Sequence, residues 1–133
     1  MRRLIDTSVL VDHLRGDARA VELLLGYATS GDELWSVTLV RTEVLAGMRK
    51  GEERATHRLL DQLRWQDVTC EVADRAGVLA RIYARSHSGI DTIGYLLAAA
   101  AELLAAELVT LNVRDFPMIE GLRAAYQSGM ARR

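Results

Sequence analysis

Apolar positions along the chain fall into short runs separated by polar punctuation, and most runs carry the spacing of a strand or a helix. Leu4-Ile5 reads as a short strand that stops at Asp6-Thr7-Ser8, residues suited to capping a helix, so Val9 to Leu14 is expected to be one. Gly16-Asp17 breaks it. Between Ala18 and Ala28 the apolar residues Val21, Leu24, Leu25 and Ala28 recur at helical spacing, and Ser30-Gly31-Asp32 is a turn. Leu34 to Val37 reads as a second strand, with Trp35 and Val37 on one face.

Thr38 precedes a helix over Leu39 to Gly47, in which Val40, Val44 and Gly47 share a face. A further helix is expected over Gly51 to Trp65, with Leu59, Leu60 and Leu63 set among charges, then a short strand at Val68 to Cys70. Glu71 to His87 is an amphipathic helix through Val72, Ala76, Leu79 and Tyr83. Ile93 to Ala106 is rich in alanine and leucine and has no charged face, so it should be central and buried. Leu108 to Leu111 reads as the last strand, and Ile119 to Gln127 as a terminal helix. Strands alternating with helices predict an α/β fold, a three-layer α/β/α sandwich with a mainly parallel central sheet, formed by residues 1–133 as a single domain. In such folds the chemistry sits beyond the carboxyl ends of the strands.

Composition narrows the function classes. The 133 residues are 50% apolar and 26% charged, a globular balance, and 17 basic against 18 acidic residues argue against binding nucleic acid by bulk positive charge. Every basic residue but Lys50 is arginine, which suits bidentate phosphate contacts. Cys70 is the only cysteine, so no disulfide framework or cysteine-rich zinc site is expected, and a reducing cytoplasm fits best. Neither a signal peptide nor a membrane span is expected: Leu4-Ile5 and Tyr95 to Ala101 are both too short.

The carboxyl ends of the strands select particular acids. Asp6 follows the first strand, Glu43 lies one turn into the helix after the second, Asp91 starts the buried helix, and Asp115 follows the last strand together with Asn112. Each also has a plain structural reading: Asp6 as a helix cap, Glu43 as a solvated side chain, Asp115 as a turn residue before Phe116-Pro117. Together they outweigh those readings, because converging carboxylates repel unless a cation neutralises them, and ligation by oxygen alone selects Mg²⁺ or Mn²⁺ over zinc. His13, His57 and His87 are the competing metal or base candidates, but His57 and His87 have no partner at ligand spacing, and there is no Gly-x-Ser-x-Gly elbow, Gly-x-Gly-x-x-Gly or phosphate-binding Gly-Lys-Thr loop.

Four ordered stretches, Leu4-Ile5-Asp6-Thr7-Ser8-Val9-Leu10-Val11-Asp12, Thr42 to Gly47, Tyr95 to Ala101 and Thr110 to Pro117, resemble the PIN-domain ribonucleases, and more narrowly the VapC toxins of VapBC toxin–antitoxin pairs. The resemblance covers nearly the whole chain. It implies an acidic pocket that holds Mg²⁺ or Mn²⁺ and cleavage of RNA, of the tRNA or rRNA class, by a metal-activated water. It assigns Asp6 as the first acid and Glu43 as the second, places Asn112 and Asp115 in the segment of the last, and makes Thr7 or Ser8 the supporting hydroxyl. It also implies a homodimer and a cognate VapB-like antitoxin in a hetero-oligomer, docked in an apolar groove. Trp35, Leu39, Leu45, Met48 and Leu59 are candidates for such a surface or simply for the core.

One position departs from the family pattern. The acid that usually precedes Leu-Ile-Ala-Ala on the buried helix is replaced by Gly94, and Asp91 lies three residues earlier. Asp91 either replaces the missing carboxylate from the same helix face or only caps the helix. The first reading leaves a working nuclease. With the second, the chain is a weakened PIN protein acting mainly as an antitoxin-binding module. RNA contacts are expected from Arg41, Arg49, Lys50 and Arg114, with Arg54 and Arg58 nearby in sequence, and aromatic residues at 5% make extensive base stacking a poor expectation.

Overall fold

Leu4 and Ile5 have no exposed surface and sit on the inner of four strands, which explains why so short an apolar run is enough to define β1 (Arg2–Ile5). The structure is a computed structural model and describes residues 1–127. After β1 come α1 (Thr7–Leu14), α2 (Ala18–Thr29), β2 (Glu33–Val37), α3 (Thr38–Ala46), α4 (Glu53–Leu60), β3 (Arg64–Gln66), α5 (Cys70–Tyr83), α6 (Thr92–Leu104) and β4 (Glu107–Val109), then a 3-10 turn over Val113–Asp115.

The sheet order is β3-β2-β1-β4, and every pairing is parallel. Chain progress from β1 to β2 to β3 runs one way across the sheet, and the return to β4 runs the other. Right-handed crossovers therefore put α1–α4 on one face and α5–α6 on the opposite face. Side-chain contacts agree. Arg3 stacks on Tyr27 of α2, its guanidinium 4.3 Å from the ring centre. Arg2, which points to the other side of the same strand, donates to the Leu104 carbonyl of α6 at 3.1 Å. The expected α/β/α sandwich is the observed fold. The reversal between β1 and β4 is its topological switch point, the crevice where open parallel sheets bind ligands. The expected burial of the alanine-rich helix also holds: every residue of α6 from Gly94 to Ala101 is buried.

Three expectations are corrected. The strand expected at Val68 to Cys70 lies instead at Arg64–Gln66, so the helix expected to reach Trp65 stops at Leu60. Trp65 Nε1 donates to the Leu60 carbonyl at 3.0 Å, which turns the chain from helix to edge strand. Thr69 is the N-cap of α5, its hydroxyl accepting from Val72 N at 3.2 Å, which rules out a strand there. No helix forms over Ile119 to Gln127. Gly121 takes φ +74°, a left-handed conformation that breaks a helix, and Ala125 N donates to the Thr110 carbonyl at 2.9 Å. Among the described residues, no helix is long and apolar enough to cross a membrane.

Candidate active site

Asp6 directly follows β1 and is the N-cap of α1, so one residue links the end of the strand to a helix start. Its Oδ1 accepts from Thr7 N at 2.7 Å and its Oδ2 accepts from the Thr110 hydroxyl at 2.7 Å. Thr110 is fully buried just beyond β4, and its oxygen also accepts from Asn112 N at 3.0 Å. The Ser8 hydroxyl accepts from Leu111 N at 3.3 Å. Glu43 projects from α3, and its Oε1 accepts from the Thr7 hydroxyl at 2.8 Å. Asp91 is the N-cap residue of α6, yet its side chain makes no capping hydrogen bond. Asn112 precedes the 3-10 turn, and Asp115 is its last residue.

The four acids Asp6, Glu43, Asp91 and Asp115 line one cavity of about 320 Å³ at the β1/β4 switch point, together with Thr7, Ser8, Gly94 and Asn112, and with Ile93, Leu97 and Phe116 as apolar walls. The expected convergence of acids from four segments is what the fold produces. Burial pushes the Asp6 carboxyl above its ordinary value, the Thr110 and Thr7 hydrogen bonds pull it back, and the charges of Glu43 and Asp115 push it up further. The starts of α1 and α6 meet at the cavity, and their partial positive ends offset some of that repulsion.

The donors fit a hard divalent cation, since every polar side chain in the cavity offers oxygen apart from the amide nitrogen of Asn112. Among the described residues no three His, Cys, Asp or Glu side chains are grouped tightly enough to hold a metal on their own. Mg²⁺ keeps several waters and takes only one or two carboxylates together with substrate phosphate oxygens, so it does not require such a group.

The PIN domain family matches residues 3–121. The chain belongs to that family. Within the PIN family it is of the VapC type. It is 44% identical over 124 residues to Ribonuclease VapC19 of Mycobacterium tuberculosis, covering 93% of this chain and 99% of the relative. To Ribonuclease VapC10 of the same species it is 40% identical over 124 residues, covering 92% of each. A toxin–antitoxin complex from Klebsiella pneumoniae aligns over 95% of this chain and 99% of its own at TM-score 0.80 and 24% identity. VapBC2 of Rickettsia felis, bound to a promoter DNA fragment, aligns over 93% of this chain and 97% of its own at TM-score 0.76 and 20% identity.

In this PIN domain Gly94 is packed rather than open. A Cβ there would stand 3.3 Å from Ile90 Cγ2 and 3.4 Å from the Asp115 carbonyl oxygen, so the glycine lets the loop that bears Asp115 lie against α6. The expected RNA contacts are not part of the cavity lining. Arg41 stacks over Trp65 at 5.1 Å, Arg49 and Lys50 lie in the turn between α3 and α4, and Arg114 is exposed on the 3-10 turn. Of the candidate docking residues, Leu59 belongs to the core, and Trp35, Leu39 and Leu45 pack partly against it. None of the three histidines reaches the cavity. Thr110 was the residue missed. Its signal was a lone hydroxyl at the end of an apolar strand, next to the segment that holds Asn112.

A larger cavity of about 700 Å³ lies between β4, α6 and residues 118–125. Two of its acids are neutralised, Glu107 by Arg3 at 2.8 Å and Glu102 by Arg75. It lacks the convergence of unpaired carboxylates that marks the smaller one.

Proposed function

We propose that this VapC-type PIN protein is a Mg²⁺- or Mn²⁺-dependent endoribonuclease, the toxin of a VapBC pair, cleaving RNA of the tRNA or rRNA class in the cytoplasm. The observation that carries the reading is the meeting of Asp6, Glu43, Asp91 and Asp115 in one cavity at the switch point. Asp6, Glu43, Asp91, Asp115 and the Asn112 amide oxygen are the groups that would serve the cation, one or two carboxylates directly and the rest through its waters. When bound, such a cation neutralises charge on the scissile phosphate and lowers the pKa of water. The chain's own groups prepare the site. The Thr7 N–H and the Thr110 hydroxyl fix the plane of the Asp6 carboxylate, leaving lone pairs on both oxygens for a ligand. The Thr7 hydroxyl orients Glu43 in the same way. Ile93, Leu97 and Phe116 exclude water from one wall, which strengthens the electrostatic interactions inside. Arg41, Arg49, Lys50 and Arg114 are left to contact RNA phosphates outside the cavity. The partners in this reading are a second copy of the chain and a VapB-like antitoxin.

Gly94 supports a second reading, in which activity is weak and antitoxin binding is the main role, because the α6 wall lacks a carboxylate at that point. One experiment separates the two. Purified protein is incubated with total RNA in Mg²⁺, in Mn²⁺ and in EDTA, alongside Asp6→Asn. The nuclease reading expects cleavage that needs the metal and falls by about 100-fold or more in the variant. Cleavage unaffected by EDTA and by Asp6→Asn rejects it, and no cleavage with any metal favours the binding module.

A further inference from the structure

Two carboxylate side chains are buried among the described residues, and the cavity accounts for only one of them. Asp12, on α1, is 6% exposed, as secluded as Asp6 at 7%, yet it does not line the cavity. A carboxylate taken out of water needs a strong partner. The Tyr126 hydroxyl donates to Asp12 Oδ2 at 2.7 Å. The Tyr126 ring lies under the Arg19 guanidinium at 5.0 Å, and Arg19 is itself held by Asp17 at 2.7 Å and donates to the Gln127 carbonyl. The end of the described chain is therefore tied to the α1–α2 hairpin.

The tie bears on the acid site because of what precedes Tyr126. The backbone bond from Ala125 N to the Thr110 carbonyl, 2.9 Å, closes residues 110–125 into a loop with adjacent ends, an arrangement frequent among functional loops. That loop carries Asn112 and Asp115. Helix α1 holds it at both ends. Asp6 receives the Thr110 hydroxyl and Ser8 receives Leu111 N at the outgoing end, while Asp12 receives Tyr126 at the returning end. Ser8 and Asp12 are four residues apart and so share a helix face.

We infer that the Asp12–Tyr126 pair is a positioning device, which holds the returning end of the 110–125 loop so that Asn112 and Asp115 stay at the acid site. Neither residue touches the cavity, so both act through the loop. The inference rests on the reading of the cavity as a metal site only for its functional consequence; the anchoring itself is a statement about the loop.

The test compares Tyr126→Phe, which removes one hydroxyl and keeps the ring under Arg19, with the wild type and with Asp12→Asn, which keeps an oxygen acceptor for the tyrosine. Amide hydrogen exchange over residues 111–117 is the primary readout. Tyr126→Phe is expected to speed exchange there severalfold while exchange in α5 stays unchanged, and Asp12→Asn should lie between it and the wild type. The functional readouts are Mn²⁺ binding, expected to weaken by about 10-fold, and RNA cleavage, in which kcat falls while KM holds. Wild-type exchange over 111–117 in Tyr126→Phe overturns the inference. Faster exchange spread evenly through the molecule also overturns it, since that marks a general loss of stability. If the wild type neither binds Mn²⁺ nor cleaves RNA, the functional reading fails, and the exchange comparison still decides the anchoring.

Discussion

Gly94 brings no side chain and no charge to the cavity wall that it occupies. Gly94 faces a cavity that already gathers Asp6, Glu43, Asp91 and Asp115, and burial and the neighbouring charges hold the Asp6 carboxyl above its ordinary value. Gly94→Asp adds a carboxylate where repulsion already exists. A Cβ there meets the Ile90 Cγ2 methyl, a stiff branch, at 3.3 Å and the Asp115 carbonyl at 3.4 Å, so the neighbours must give by a few tenths of an ångström. Replacing glycine within a helix regains up to about 1 kcal/mol of backbone propensity, less for aspartate than for alanine. The net expectation is a variant less thermostable than the wild type in EDTA but with a larger rise in Tm on adding Mg²⁺, as measured by thermal unfolding in both conditions. An equal Mg²⁺ response in the two proteins would show that position 94 does not face the ligand. The same substitution should raise Mg²⁺-dependent RNA cleavage. No gain, in a chain already active through Asp91, would mean the glycine is no lesion.

At the scale of elements, helix starts carry the site and strand edges mislead the reader of the sequence. Asp6 and Asp91 both occupy N-cap positions, but only Asp6 makes the capping bond. A capping aspartate replaced by alanine loses about 1 kcal/mol, whereas an acid that only faces the cavity loses far less. Asp91→Ala should therefore cost under about 0.5 kcal/mol in a denaturant titration while weakening Mg²⁺ binding and RNA cleavage. A loss near 1 kcal/mol with unchanged metal binding would return Asp91 to a plain cap. The inner elements were legible because burial writes a pattern: β1, β2 and α6 show their apolar runs directly. Edge strand β3 shows none, since Arg64-Trp65-Gln66 is exposed or half-buried throughout, while the more apolar-looking Val68 is 37% exposed. The segment after Pro117 misled for a related reason. Ile119, Leu122, Ala125 and Tyr126 keep helix-like spacing, yet they pack individually on the core from an irregular path fixed by Gly121 and the Thr110 carbonyl. That Asp6 and Asp115 come to one cavity was legible from position, because a parallel sheet brings the carboxyl ends of its strands to one edge, whereas Glu43 and Asp91 join them from helices. Thr110 was not, since its role exists only once β1 and β4 are side by side.

For the molecule as a whole, the paired carboxylates outside the cavity and Asp6 inside it respond to acid in opposite senses. Outside, the Arg19 hydrogen bond holds the Asp17 carboxyl below its ordinary 3.8, at about 2. Asp32 is lowered by its hydrogen bond to Arg3, Glu33 by its hydrogen bond to Trp35, and Glu102 by its hydrogen bond to Arg75. A group whose folded pKa is depressed binds a proton more readily in the unfolded chain. Its contribution to stability is present above the unfolded pKa and disappears as pH falls through the folded one. Asp6 has the reverse sign: its pKa is raised on folding, so its ionisation opposes folding as pH rises above 3.8, unless a cation takes up the charge. In EDTA, Tm should thus fall as pH drops from about 4.5 to 2, when the paired surface acids are titrated. High salt should blunt that fall, because those pairs lie at the surface, where salt screens them in part. Added Mg²⁺ should raise Tm at pH 7 and raise it less as pH falls, because the Asp6 carboxyl, which burial holds above its ordinary value, takes up a proton in place of the metal. Thermal melts across pH 2–7, with and without Mg²⁺, measure both effects. A Tm that stays flat down to pH 2 would contradict the surface assignment, and a Mg²⁺ response that does not weaken as pH falls would contradict the carboxylate assignment of the site.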